Sequence, residues 1–268
     1  MDFIFRFMFF GDVIGQPGLN MLEKWIPKLK KKYNIDAFIV NGENSTKKGK
    51  GITPKIMSFL RKCGVSVVTS GNHVWQEKEI YNYLNENTDL IRPANYPSIC
   101  PGKGYSLFNI NGHYVAVVNL QGRVFMAAHL DCPFKTAESM LTFLKTKTKI
   151  ILVDFHAEAT SEKQVFASYL DGKVSAVLGT HTHVQTADER ILANGSAYIS
   201  DVGFCGALNS SLGMKTDIIL KRFLTQMPVR FTVETIPPFV LNGVYLQIDV
   251  ESGKALSIER INIIDNDM

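Results

Sequence analysis

Long apolar runs are missing from this chain: no stretch of its 268 residues approaches the roughly 18 apolar residues of a membrane-spanning helix. The N-terminal run Phe3–Phe10 is interrupted by Arg6 and leads into Gly11-Asp12, so it reads as a first buried strand rather than a signal peptide. Cysteine is scarce. Cys63, Cys100, Cys132 and Cys205 lie far apart without a Cys-x-x-Cys pair, which argues against a disulfide framework or zinc knuckle and favours a reducing, cytoplasmic setting. Cys63, among apolar residues before Gly64, is expected to be a buried free thiol. Charge of one sign is lacking as well: 29 Lys+Arg against 25 Asp+Glu leaves +4, short of the basic footprint of a duplex-binding protein. No Gly/Ser linker, low-complexity tract or internal repeat breaks the chain, so a single domain over residues 1–268 is expected. A hydrophobic content of 46% with 20% charged residues excludes a disordered or collagen-like chain.

What is present is an alternation of short apolar runs with amphipathic segments. Strands are expected at Phe3–Phe10, Ala37–Val40, Val65–Thr69, Tyr114–Val118, Ile150–Phe155 and Val174–Leu178, several apolar on both faces, as in a covered sheet. Thr53-Pro54 supplies an N-cap and a first-turn proline for a helix that Gly64 should stop. Ser161 with Gln164 fits a capping box. Leu19–Tyr33 also reads as helical, kinked or shortened at Pro27. The last third alternates at Val229–Val233 and Val244–Ile248, then turns at Glu251–Lys254 into a strand Leu256–Ile263. These segments predict a second, mostly antiparallel sheet, and so an α/β fold with two sheets.

The chemistry lies at the strand ends. Five apolar runs finish in polar clusters: Gly11-Asp12, Asn41-Gly42-Glu43-Asn44, Gly71-Asn72-His73, His156-Ala157-Glu158 and Gly179-Thr180-His181-Thr182-His183. Ligands of open α/β sheets bind beyond the carboxyl ends of strands, so these clusters should meet at one rim. Alone, each is as readily a turn or a satisfied buried histidine as a ligand. Together they form a mixed oxygen and nitrogen donor set suited to Mn, Fe or Zn rather than Ca or Cu(I).

The ordered set of a Gly-Asp, a second acidic motif, Gly-Asn-His, a lone His and His-x-His resembles the calcineurin-like metallophosphoesterases. More narrowly, Gly11-Asp12-Val13-Ile14-Gly15, Asn41–Asn44, Arg92-Pro93-Ala94-Asn95, Asn119–Arg123, Asp154–Glu162 and Gly179–Asp188 look like the bacterial YmdB-like phosphodiesterases, nearly over the full length. The resemblance implies a two-sheet α/β/β/α sandwich and a binuclear metal site. Two departures from the broad superfamily stand out. Ile14 occupies the place of a usual histidine ligand, and Glu43 that of a usual bridging aspartate. On this reading Asn44 supplies the oxygen ligand that Ile14 cannot. One metal is then held by Asp12, Glu43, Asn44 and His183, the other by Glu43, Asn72, His156 and His181. Two divalent or mixed-valence ions are expected, iron or manganese foremost, with zinc or magnesium as alternatives.

The implied activity is hydrolysis of a small-molecule phosphodiester, in particular a 2′,3′-cyclic nucleotide, by attack of a metal-bridging hydroxide. His73, directly after Asn72, is the candidate general acid or charge stabiliser. Arg92, Asn95 and Arg123 are candidate contacts to phosphate or ribose, each equally suited to fixing a loop. Trp75 is a candidate base-stacking residue, with a core role as the alternative. His113 and His129 match no motif. A phosphomonoesterase or nuclease using the same metals is the rival activity, and a regulatory binding protein with a vestigial site is the non-enzymatic one. Neither a membrane nor a specific duplex partner is expected, and a homo-oligomer is compatible with the sequence.

Overall fold

The run from Ile4 to Phe10 sets the layers of the fold. Phe5, Phe7 and Phe9 point to one face of this strand, Met8 and Phe10 to the other, and all five are buried. A strand covered on both sides must lie between two layers. In the computed structural model, which describes residues 3–267, that strand is β1 (Ile4–Phe10). The strands that follow are β2 (Asp12–Val13), β3 (Ala37–Asn41), β4 (Val65–Thr69), β5 (Tyr105–Ile110), β6 (His113–Gln121) and β7 (Ile151–His156). Then come β8 (Ala176–Thr180), β9 (Arg190–Ile191), β10 (Ala197–Ile199), β11 (Phe204–Ala207), β12 (Phe239–Asp249) and β13 (Ala255–Asp265). The helices are α1 (Gly15–Tyr33), α2 (Pro54–Cys63), α3 (Ile80–Glu86), α4 (Pro133–Leu144), α5 (Thr160–Leu170) and α6 (Thr216–Thr225).

One sheet has the order β2-β11-β12-β1-β3-β4, with β13 along β12, and the other the order β5-β6-β7-β8-β10-β9. Phe5, Phe7, Phe9, Ile39 and Val67 of the first sheet pack against Val115, Val117, Leu152 and Leu178 of the second. On the outer face of the first sheet, Met8, Phe10, Phe38 and Val40 meet Leu22, Ile26 and Leu60 of α1 and α2. On the outer face of the second, Val118, Val153 and Phe155 meet Leu141 and Phe166 of α4 and α5. The layers therefore run α/β/β/α, the arrangement expected from the sequence.

The composition of the sheets differs from the expectation. The last strands do not build a second sheet: β12 pairs antiparallel with β1 and completes the first. Its alternation at Val244–Ile248 does not mark a solvent face. Val244, Leu246 and Ile248 enter the core between the sheets, while Tyr245 packs at a tilt against Tyr33 of α1 with ring centroids 4.9 Å apart. The second sheet is instead built on β6, β7, β8 and β10, which run parallel in that order, with β5 and β9 antiparallel at its edges. Val229–Val233 is not a strand; only Val233 forms a bridge, to Met214.

Local signals fared better where they were short-range. Thr53 caps α2 by accepting from the Ile56 N–H, Pro54 opens the helix, and Gly64 closes it at φ 95°, a left-handed conformation that glycine adopts without strain. Ser161, by contrast, lies inside α5, whose N-cap is Ala159 with no side-chain cap bond. Helix α1 starts at Gly15 and runs through Pro27 to Tyr33, so the proline does not shorten it. All four cysteines are free; Cys205 is buried and Cys63 only half-buried. Among the described residues, no helix is long and apolar enough to cross a membrane.

Candidate metal centre

The ends of five strands meet at one rim of the facing sheets. From the first sheet, β1 leads through Gly11 to Asp12, β3 delivers Glu43 and Asn44, and β4 delivers Asn72 and His73. From the second, β7 ends at His156, and β8 delivers His181 and His183.

The Nε2 of His156 is the hub of one group of donors. It lies 3.0 Å from Glu43 Oε1, 3.0 Å from Asn72 Oδ1 and 3.0 Å from His181 Nδ1. Suitable ligand atoms of Glu43, His156 and His181 all fall within 4.8 Å of one another, a spacing that fits a shared cation. Beside them lies a second group. Asp12 is fully buried, and its Oδ1 has no hydrogen-bond partner, with His183 Nε2 3.8 Å away. Asn44 Oδ1 is likewise buried and unpartnered, while its amide nitrogen is fixed on the Gly49 carbonyl at 2.9 Å. Buried acceptors are rarely left unpaired, because desolvation without compensation costs roughly 1–3 kcal/mol each. Two such oxygens at a rim of imidazoles suit the binding of a cation. Gly71 keeps the space open: a Cβ there would lie 2.3 Å from His156 Nε2 and 2.6 Å from Glu43 Oε2.

The electrostatics agree with a site shaped for positive charge. Burial works against ionising Glu43, but His156 outweighs it and carries the carboxyl down to about 2. Burial equally opposes charging His156, yet the carboxylates of Glu43, Asp12 and Asp154 push it up to about 9. Asp12 is raised by burial despite His183 and His156. His181 is pushed down to about 3 by burial and the neighbouring His156.

Two supporting networks hold the histidines. Asp154 is buried and accepts from Asn41 Nδ2 at 3.0 Å and Thr180 Oγ1 at 2.7 Å, with Thr69 as a further donor. Thr180, having given its proton to Asp154, can only accept from His156 Nδ1 at 2.9 Å, so in the neutral imidazole the lone pair falls on Nε2, toward the other donors. The second network centres on Asp201, which binds Thr182 between the two rim histidines and Lys163 of α5. His181 Nε2 is also 3.1 Å from Glu158 Oε2.

His73 joins the rim: its backbone N–H donates to Glu43 Oε2 at 2.9 Å, and its Nδ1 is buried without a partner. Burial lowers its pKa, with Glu43 opposing. The fourth buried atom without a partner among the described residues is Gln121 Nε2, on the strand position in register with His156. The three candidate substrate contacts are placed differently. The Arg92 guanidinium is buried and donates to the carbonyls of Pro93, Pro101 and Cys100. Asn95 donates to the carbonyls of Gln121 and Asp131 and accepts from the Gln121 N–H. Both bonding patterns are those of loop-fixing residues. Arg123 is exposed, with its backbone N–H held by Glu162. Trp75 packs edge-on against Tyr81 and Tyr96 in the protein body, and His113 sits by Phe3 and Phe5. Asp154, Asp201, Lys163 and Glu158 were not singled out by sequence reasoning as supporting residues. Asp154 and Glu158 lie within the strand-end motifs and Lys163 directly follows one, whereas Asp201 lies in none.

Known proteins are similar to this chain over nearly its whole length. A 2′,3′-cyclic-nucleotide 2′-phosphodiesterase of Bacillus subtilis (strain 168) is 49% identical over 263 residues, covering 98% of each chain. The solved structure of a hypothetical protein from Thermus thermophilus matches with a TM-score of 0.90 at 39% identity, over 97% of this chain and 99% of that one. That of a phosphatase from Mycoplasma pneumoniae matches with a TM-score of 0.93 at 37% identity, over 100% and 96%. The family model described as YmdB-like protein matches residues 8–261, and the chain belongs to that family.

Proposed function

We propose that the chain is a binuclear metal-dependent phosphodiesterase acting on 2′,3′-cyclic nucleotides. Membership of the hydrolytic phosphoesterases is supported by its relatives, and the cyclic-nucleotide substrate by the name of the Bacillus subtilis protein. The observation that carries the metal reading is the pair of buried, unpartnered oxygens, Asp12 Oδ1 and Asn44 Oδ1, beside the Glu43–His156–His181 cluster. Asp12, Glu43, Asn44 and His183 would hold one ion, and Glu43, Asn72, His156 and His181 the other. Iron or manganese suits this oxygen and nitrogen set, with zinc or magnesium as alternatives. Such ions supply Lewis-acid stabilisation of phosphoryl oxygens and lower the pKa of bound water from 15.7 to about 7.

The chain's own residues supply the rest. Glu43 would be shared between the two ions, and it orders the His73 segment by accepting from its backbone N–H. Asp154 and Thr180 fix the tautomer of His156. His73, with its pKa lowered by burial, is a neutral imidazole at neutral pH, suited to stabilising the leaving oxygen by hydrogen bonding. The free cysteines are compatible with the cytoplasmic setting expected from the sequence.

The test is metal analysis of the purified protein, paired with hydrolysis of a 2′,3′-cyclic nucleotide by wild type and Glu43→Gln. The substitution should remove metal and activity together, and full retention of both would refute the assignment. A phosphomonoesterase is the second reading, favoured by the naming of the Mycoplasma pneumoniae relative as a phosphatase. Rates on cyclic nucleotide, phosphomonoester and short RNA substrates decide between them.

A further inference from the structure

A cavity of about 430 Å³ opens directly on the metal centre, with Asn44, His73, His181 and His183 at its base. That volume falls in the range of small-molecule pockets, roughly 300–1,000 Å³, and exceeds what a phosphate group alone would fill. Away from the base its apolar lining comes from one stretch of chain, the segment around α6, with Leu212, Met214, Ile219 and Phe231, while Lys50, Glu158 and Arg222 add charged groups. Phe231 is half-buried and packs in the same cluster as Met214, Ile219 and Val233. Two cations on flexible side chains lie over its ring, Lys50 at 6.0 Å and Arg222 at 5.9 Å from the centroid, so a stacked base would take their place on that face and meet them at its rim.

We propose that this wall is the nucleobase subsite, with Phe231 as its stacking surface. The inference rests on the nucleotide reading above and names the group that recognises the base. An aromatic ring and a thioether next to a phosphoryl-binding base suit a flat heteroaromatic ring, whose π-face stacks whatever its sequence identity. Lys50 and Arg222 offer donors to carbonyl and ring-nitrogen acceptors at the rim of such a base. Trp75 cannot fill this role, because it lies outside the cavity against Tyr81 and Tyr96.

The experiment compares kcat/KM for adenosine 2′,3′-cyclic phosphate with that for the base-free methyl riboside 2′,3′-cyclic phosphate, in wild type, Phe231→Leu and Phe231→Trp. Leucine keeps the packing volume without a π-face. The preference for the nucleotide over the base-free ester should fall roughly tenfold in Phe231→Leu and be retained in Phe231→Trp. Equal losses on both substrates, or an unchanged preference, would overturn the subsite. A second readout is independent of turnover: saturation transfer from the protein to the adenine protons of adenosine should be strong in wild type and lost in Phe231→Leu. If the wild type cleaves neither ester yet shows that transfer, the phosphodiesterase reading fails and the base subsite stands. If it cleaves both esters at equal rates without the transfer, the subsite fails and the phosphodiesterase reading stands.

Discussion

Asp201 Oδ2 accepts two hydrogen bonds from Thr182, from its N–H at 2.9 Å and its hydroxyl at 2.8 Å. Thr182 separates His181 and His183, whose φ angles of 102° and 62° are costly for residues with a side chain, of order 1–3 kcal/mol each. The Asp201 carboxylate is therefore the clamp that holds two strained histidines on the rim. It is held in turn by Lys163 at 2.7 Å, and both partners of this ion pair are almost completely buried.

Breaking that pair from one side should be severe. Lys163→Met leaves the Asp201 charge buried without its counter-ion, at an expected loss of roughly 3–5 kcal/mol in unfolding free energy. Urea denaturation measures it. The double variant Lys163→Met with Asp201→Asn should recover part of the loss, since the stranded charge is gone; a loss below about 1 kcal/mol in the single variant contradicts the assignment.

In the proposed reaction His73 acts on the substrate side of the centre, so its removal should separate activity from metal content. In His73→Ala, turnover of the cyclic nucleotide is expected to fall roughly 10²- to 10⁴-fold while bound metal stays at the wild-type level. Unchanged turnover takes His73 out of the mechanism.

The metal-free chain should release a proton on loading. With its pKa pushed up to about 9, His156 is protonated at pH 7 and must become neutral to act as a ligand. Apparent metal affinity should therefore rise by up to about tenfold per pH unit from 7 toward 9 and level off above. The His156–Glu43 pair has the opposite effect on metal-free stability. His156 is raised above its ordinary 6.5, so its contribution is full below that value and fades as pH climbs through about 9. Glu43 is lowered from 4.5, so its contribution is full above that value and is lost as pH falls through about 2. The Tm gap between chelated wild type and Glu43→Gln should accordingly be widest between pH 4.5 and 6.5. A gap that widens above pH 8 would contradict this.

Gln121 carries a buried amide donor with no partner. Replacing an unsatisfied polar group by an apolar one of similar shape is near neutral or stabilising, so Gln121→Met should leave Tm unchanged or raise it. A drop of several degrees would show that the amide is paired in solution.

The gathering of the candidate donors was readable in the order of residues because each of them follows an apolar strand closely. Asp12, Glu43, Asn72, His156 and His181 reach one rim for that reason alone. The helix Pro54–Cys63 was readable because its cap, proline and stop glycine all act within a few residues. What escaped depends on distant partners. The membership of β12 in the first sheet is decided by its pairing with β1 at the other end of the chain. The same is true of Asp201, whose counter-ion is 38 residues away. Arg92, whose guanidinium binds carbonyls of its own loop, reads equally as loop fixing or substrate contact, because a sequence does not show how that loop folds back. Phe231 sits in an alternating stretch with a strand's pattern but no neighbouring strand, and so its place on a cavity wall could not be seen locally.

The candidate metal donors come in two sets, four residues from the first sheet and three from the second. Neither layer can assemble the centre by itself, so bound ions would act as a gauge of how the two sheets are seated. A core change at Phe7, between the sheets and remote from the rim, can leave each sheet's hydrogen bonding intact and still shift one half of the donor set against the other. In this chain, packing between the sheets and chemistry at their edge are one property.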